Sequence, residues 1–84
     1  MTRREKIVAR ILARPPEALF SDVRALLEEF GYEQARQSGS HVVFRRRGEH
    51  RITVPLVQGR RVKRRYLEEI IRRLGLEENN DNSG

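Results

Sequence analysis

The chain has 84 residues, 36% of them charged, with 18 Lys+Arg against 12 Asp+Glu and a formal net charge of +6. That length describes one small domain, near the lower limit at which a chain buries enough apolar surface to fold alone. It has no cysteine and only two histidines, which excludes disulfide staples and cysteine metal sites and argues against a structural zinc; no apolar run approaches the roughly 18 residues of a membrane span.

Residues 3–14 are expected to form a short helix, because Ile7, Val8, Ile11 and Leu12 make one apolar stripe with Arg3, Arg4, Lys6 and Arg10 largely off it. Arg10 also interrupts the stretch Ile7 to Ala13, so no signal-peptide core develops and a cytoplasmic location is expected. Pro15 and Pro16 stop the helix. Residues 15–20 read as a connector, and Ser21 is the expected N-cap, with Asp22 in the first turn. The second helix, 22–30, is the clearest in the chain. Val23, Leu26, Leu27 and Phe30 fall on one face, and Gly31 supplies the left-handed stop.

Three strands are expected next. Tyr32 to Gln37 is the first, though its composition is weak for one; Ser38-Gly39-Ser40 turns into His41 to Arg46; Arg47 to His50 is a hairpin loop; Arg51 to Val54 returns. Pro55 ends the pairing, since it has no N–H to give a ladder. Alternation puts Val42 and Phe44 on one face of the middle strand and His41, Val43 and Arg45 on the other; Ile52 and Val54 likewise oppose Arg51 and Thr53. Residues 56–61 form a loop containing Gly59. The last helix runs from about Lys63 to Leu74, with Leu67, Ile70, Ile71 and Leu74 inward and Gly75 closing it. Residues 77–84 are expected to be a disordered tail.

The fold class expected from this order, α-α-β-β-β-α, is α+β. A three-stranded antiparallel sheet is too small to stand alone, so the helices should pack on one of its faces within a single domain, 1–76. The other face stays open, carrying His41, Arg45, Arg51, Thr53 and the less comfortable Val43.

The last eight residues hold Glu77, Glu78 and Asp81 and no basic residue, so 18 basic side chains face nine acidic ones over residues 1–76, a net +9. Between Arg36 and Arg65 lie eight further basic residues, opposed only by Glu49. Such a concentration is the footprint of a nucleic-acid-binding surface, whose affinity comes largely from phosphate contacts and counterion release. The plainer alternative is a solvated basic face that meets an acidic protein. His41, beside arginines on an open face, suits a proton-transfer residue that touches an anion. A lone histidine is nevertheless more often structural or merely solvated.

The ordered series Gly39-Ser40-His41, Val42-Val43-Phe44-Arg45, Ile52-Thr53-Val54-Pro55, Gly59 and the helix from Lys63 to Leu74 resembles the HicA family of toxins, small mRNA interferases of toxin–antitoxin pairs. Phe20-Ser21-Asp22-Val23, Phe30-Gly31-Tyr32 and Leu74-Gly75-Leu76 extend the resemblance over residues 20–76. It implies a fold like that of double-stranded-RNA-binding domains, cleavage of mRNA with His41 as the functional residue, and an antitoxin of the HicB family that binds the toxin and covers that histidine in a hetero-oligomer. Residues 1–19 are then an N-terminal helical extension. Leu56 and Val57 follow Pro55 where many relatives carry a histidine, and Arg64-Arg65-Tyr66 replaces a Pro-x-Thr segment.

The chemistry expected on this resemblance is attack of a ribose 2′-OH on the neighbouring phosphate, without metal or cofactor. An imidazole, with an ordinary pKa of about 6.5, exchanges protons near neutral pH. His41 is the candidate catalytic residue. Ser40, Arg36, Arg45, Arg51, Arg60, Arg61, Lys63 and Arg64 are the candidate RNA contacts. Glu28-Glu29 and Glu68-Glu69 sit on helices as solvated faces, which leaves no carboxylate cluster for a magnesium nuclease. His50 reads as a solvated loop residue and Tyr66 as a cap on the core. The competing class is a non-catalytic RNA-binding module of the same fold, and a third is a purely structural subunit of a complex.

Overall fold

The computed structural model of the chain describes residues 2–77. Helix α1 (Arg3–Leu12) opens on a reciprocal cap. The Thr2 hydroxyl accepts from the Glu5 N–H at 3.1 Å, and the Thr2 N–H donates to Glu5 Oε1 at 2.9 Å. The helix ends two residues before its expected stop, and Arg14, just before the prolines, takes a left-handed φ of 52°. Its apolar stripe is used. Ile7 and Ile11 are 5% and 1% exposed, and the Arg4 guanidinium lies 4.3 Å from the Phe30 ring centroid.

The segments read as a connector and a loop each contain a short strand. Strand β1 (Glu17–Leu19) pairs antiparallel with strand β5 (Arg61–Lys63), in the register Glu17 to Lys63, Ala18 to Val62 and Leu19 to Arg61. Only the middle residue of each, Ala18 and Val62, is buried. One apolar position per strand is too little pattern to mark it in the sequence. This pair also corrects the expected start of the second helix. Helix α2 (Phe20–Glu29) follows β1 without a break, so Leu19 is its N-cap and makes no side-chain cap bond, while Ser21 lies in the first turn. The Phe20 N–H instead donates to the Arg60 carbonyl at 2.7 Å, a backbone partner from the strand pair.

The main sheet holds β2 (Glu33–Ser38), β3 (His41–Arg45) and β4 (Ile52–Pro55) in the order β2-β3-β4, both pairings antiparallel. Helix α3 (Arg64–Leu74) completes the α+β fold and ends at Gly75 with φ 68°. The helices cover one sheet face. Val42, Phe44, Ile52 and Val54 form a single cluster with Leu26, Leu27, Leu67 and Ile70, and the Phe20 and Phe44 rings meet at 6.1 Å between centroids. No polar or charged side chain is buried among the described residues. The chemistry of this chain therefore lies on its surface. Of the expected tail, Glu77 is ion-paired to Arg14 at 2.6 Å, and residues 78–84 lie outside the described residues.

The exit from α2 is held by Arg46. Its Nη1 donates to the Phe30 carbonyl at 2.8 Å, and its guanidinium sits 5.2 Å from the Tyr32 ring centroid. Gly31 between them has φ +89°, and an added Cβ would meet Arg46 Cδ at 3.2 Å. Gly31→Ala is expected to destabilise the fold by about 1–2 kcal/mol, mainly from the left-handed backbone; a lower midpoint in thermal unfolding checks this.

Candidate active site on the open sheet face

A two-residue turn, Gly39-Ser40, joins β2 to β3, and Gly39 carries the positive φ, 59°, that such hairpins require at their first turn position. Ser38 and His41 therefore stand directly opposite each other. The Ser40 carbonyl accepts from the Leu56 N–H at 2.7 Å, which fastens the turn to the end of β4. His41 begins the central strand, so it has a neighbour strand on each side. Pro55 is its direct partner on β4, and Val43, next on the same face, stands between Arg36 and Thr53. His41 is thus ringed by Ser38, Arg36, Val43, Thr53 and Pro55. Val42 and Phe44, on the other face, are completely buried, while His41 and Thr53 are exposed and Val43 is half-buried. The imidazole is open to a ligand from the solvent side and makes no side-chain hydrogen bond with another described residue.

The candidate RNA contacts divide into three groups and one isolated residue. Arg36 belongs to the histidine neighbourhood, and Ser40 is the turn residue beside it. Arg45 and Arg51 lie at the far end of the sheet, about 13 Å along the strand from His41, where with Arg46, Arg47, Glu49 and His50 they line a cleft of about 710 Å³. Arg45 also faces Glu33 across the β2-β3 pair. Arg61, Lys63 and Arg64 line a second cleft of about 610 Å³ with Pro16, Glu17 and Arg65, at the start of α3. Arg64 is partly committed there, since its Nε donates to the Arg14 carbonyl at 2.8 Å. Arg60 stands apart beside Leu19, Phe20, Ser21 and Gly59. The Val57 N–H donates to the Arg61 carbonyl at 2.8 Å, and Val57 follows closely on Pro55, so this side of the molecule continues from the histidine end of the sheet.

Several basic residues instead serve the fold. Arg73 donates to the His50 and Arg51 carbonyls at 2.6 and 3.4 Å and so holds the β3-β4 hairpin. His50 lies in that hairpin, away from His41. Glu28 pairs with Arg24 at 3.6 Å and Glu68 with Arg14 at 3.9 Å, as solvated faces do. No group of three or more His, Cys, Asp or Glu suited to a metal occurs among the described residues. Sequence reading passed over Ser38 and left Thr53 outside the site. The signal for Ser38 was the two-residue turn itself, which puts its flanking residues face to face.

This arrangement offers one titratable imidazole, two hydroxyls and one guanidinium on a small open surface, with wider basic ground on both sides. It suits proton transfer on an extended polyanion better than on a small enclosed molecule. Residues 20–76, more than half of the chain and running from the first residue of α2 to Leu76, match the family model of the HicA toxin of bacterial toxin–antitoxin systems. No curated protein and no solved structure matches the chain.

Proposed function

Because the chain belongs to the HicA toxin family, and is thus the toxin component of a toxin–antitoxin pair, we propose that it is a metal-independent endoribonuclease acting on mRNA through His41. The observation that carries this reading is the position of His41. It is the exposed imidazole on the open sheet face, at the start of the central strand, within the part of the chain that matches the family.

In the proposed reaction the 2′-oxygen attacks the adjacent phosphorus. The P–O2′ bond forms, the P–O5′ bond breaks, and the products are a 2′,3′-cyclic phosphate and a 5′-hydroxyl. His41 takes the 2′-OH proton, and water on the open face protonates the departing 5′-oxygen. The need for a 2′-OH selects RNA over DNA. The arginines and Lys63 hold phosphates along the strand. An antitoxin of the HicB family is the proposed partner, covering His41 in a hetero-oligomer, and the cytoplasm is the proposed location.

Cleavage of a labelled single-stranded RNA by the purified protein in EDTA tests the reading. Metal-independent cutting is the expected result. Binding without cutting, on free RNA and on translated message alike, would leave the protein a binding module. Its affinity should also be strongly salt-dependent. If about five phosphates are neutralised, log K falls with log[salt] at a slope of about −3.5 for a single strand. A slope near zero in a filter-binding titration would remove the phosphate-contact argument.

A further inference from the structure

Arg36 stands apart from the other basic residues in where the chain delivers it. Tyr32 is buried, 2% exposed, on the helix-covered side, and Ser38 is paired with His41 on the open side. These two residues are an even number of positions apart, so an unbroken strand would put both on one face. The β2-β3 register contains an irregularity that resolves the conflict. Glu33 pairs with Arg45 and Gln34 with Phe44, but the next pair is Arg36 with Val43, leaving Ala35 as an extra residue. After this bulge Arg36 and Ser38 both lie on the His41 face.

Arg36 is then the diagonal neighbour of His41, at about 7–8 Å between backbone positions, a separation that a long side chain spans. Among the described residues no carboxylate pairs with it, whereas Arg10, Arg24 and Arg46 each have one and Arg14 has two. The remaining candidate cations belong to the clefts at the other end of the sheet and at the start of α3, or to the loop before β5.

We infer that Arg36 is a catalytic residue, the group that holds the non-bridging oxygens of the phosphate being cleaved and stabilises their growing charge in the transition state. The inference rests on the ribonuclease reading and goes beyond it by separating one arginine from those that only bind. A guanidinium presents paired donors that match two phosphate oxygens at once, and a donor aimed at developing charge contributes mainly to the rate of the chemical step. The bulge at Ala35 is the local device that brings this side chain to the histidine.

The experiment compares Arg36→Ala, Arg36→Lys and Arg45→Ala with the wild-type full chain on the same RNA in EDTA, reading kcat and KM separately. Arg36→Ala is expected to lower kcat by about 10²–10³-fold with little change in KM. Arg36→Lys, which keeps the charge but loses the fork, should fall between alanine and wild type. Arg36 is exposed on an edge strand, so unchanged thermal unfolding of the variants is expected. A kcat for Arg36→Ala within threefold of wild type, a loss seen in KM alone, or an equal loss of kcat in Arg45→Ala would each overturn the assignment. Wild-type protein that leaves both this RNA and translated message intact would overturn the ribonuclease reading, and this inference with it.

Discussion

Replacing His41 with alanine is expected to lower the rate of RNA cleavage by about 10²–10⁴-fold, the usual worth of a positioned general acid or base. RNA affinity should stay within a few-fold of wild type. The reason lies in how the two tasks are distributed. In the proposed function, binding would be spread over the basic residues that line clefts at both ends of the molecule and would depend on counterion release, to which one imidazole adds little. In that reading proton transfer falls to His41 and not to the other histidine, since His50 lies in the hairpin at the far end of the sheet. The variant should also remain folded. His41 is exposed, and its backbone pairings to Ser38 and Pro55 need no particular side chain. Gel analysis of cleavage beside a binding titration and an unfolding curve checks all three points. A folded His41→Ala protein that cuts at the wild-type rate would remove His41 from the reaction.

The second large effect is on stability, and it comes from the segment outside the family match. Deletion of residues 1–19 is expected to abolish cooperative folding, although the remaining chain keeps every residue of the matched region. Ile7, Ile11 and Ala18 are buried members of the core, and Val8 and Leu12 pack against it. Burial of each isoleucine contributes about 1.5–3 kcal/mol, in a domain whose net stability is about 5–15 kcal/mol. The deletion also removes strand β1 and with it the backbone partner of β5, as well as the Pro16 carbonyl that accepts from the Arg64 N–H at 3.0 Å. A milder variant isolates the packing effect. Ile11→Ala should cost about 2–5 kcal/mol and lower the midpoint of thermal unfolding by about 10 °C or more. Arg10→Ala on the same helix should cost under about 1 kcal/mol, because its pair with Asp22 is largely solvated. A fragment 20–84 that unfolds as sharply and at the same temperature as the full chain would show that the extension is not part of the core.

These expectations join the two halves of the molecule. The extension and the strand pair hold the start of α3 and the loop after β4, and that loop is fastened to the turn carrying His41 through the Leu56 to Ser40 bond. Loss of core packing at α1 should therefore lower activity as well, through the population of folded protein.

Much of this was legible in the residues. The apolar stripes of the three helices, the glycines that end two of them and the alternation in β3 and β4 are local patterns, because side-chain direction follows directly from backbone period. From them came the order of elements, the helix-covered sheet and the exposure of His41 on its open face. The strand pair β1-β5 was not legible, since three-residue strands with charged ends carry almost no period and form only when distant segments meet. The N-cap of α2 was misplaced at Ser21 for the same reason: the Phe20 N–H takes its partner from Arg60, forty residues away in the chain.

By itself, then, the sequence determined the class of fold, the basic character of the molecule and the histidine on its open face, all of which follow from composition and local period. Only the tertiary structure decided which arginine stands beside that histidine. Counted from Tyr32 along an unbroken strand, Arg36 shares the buried face; the extra residue at Ala35 reverses it, and a bulge exists only in the pairing of two strands.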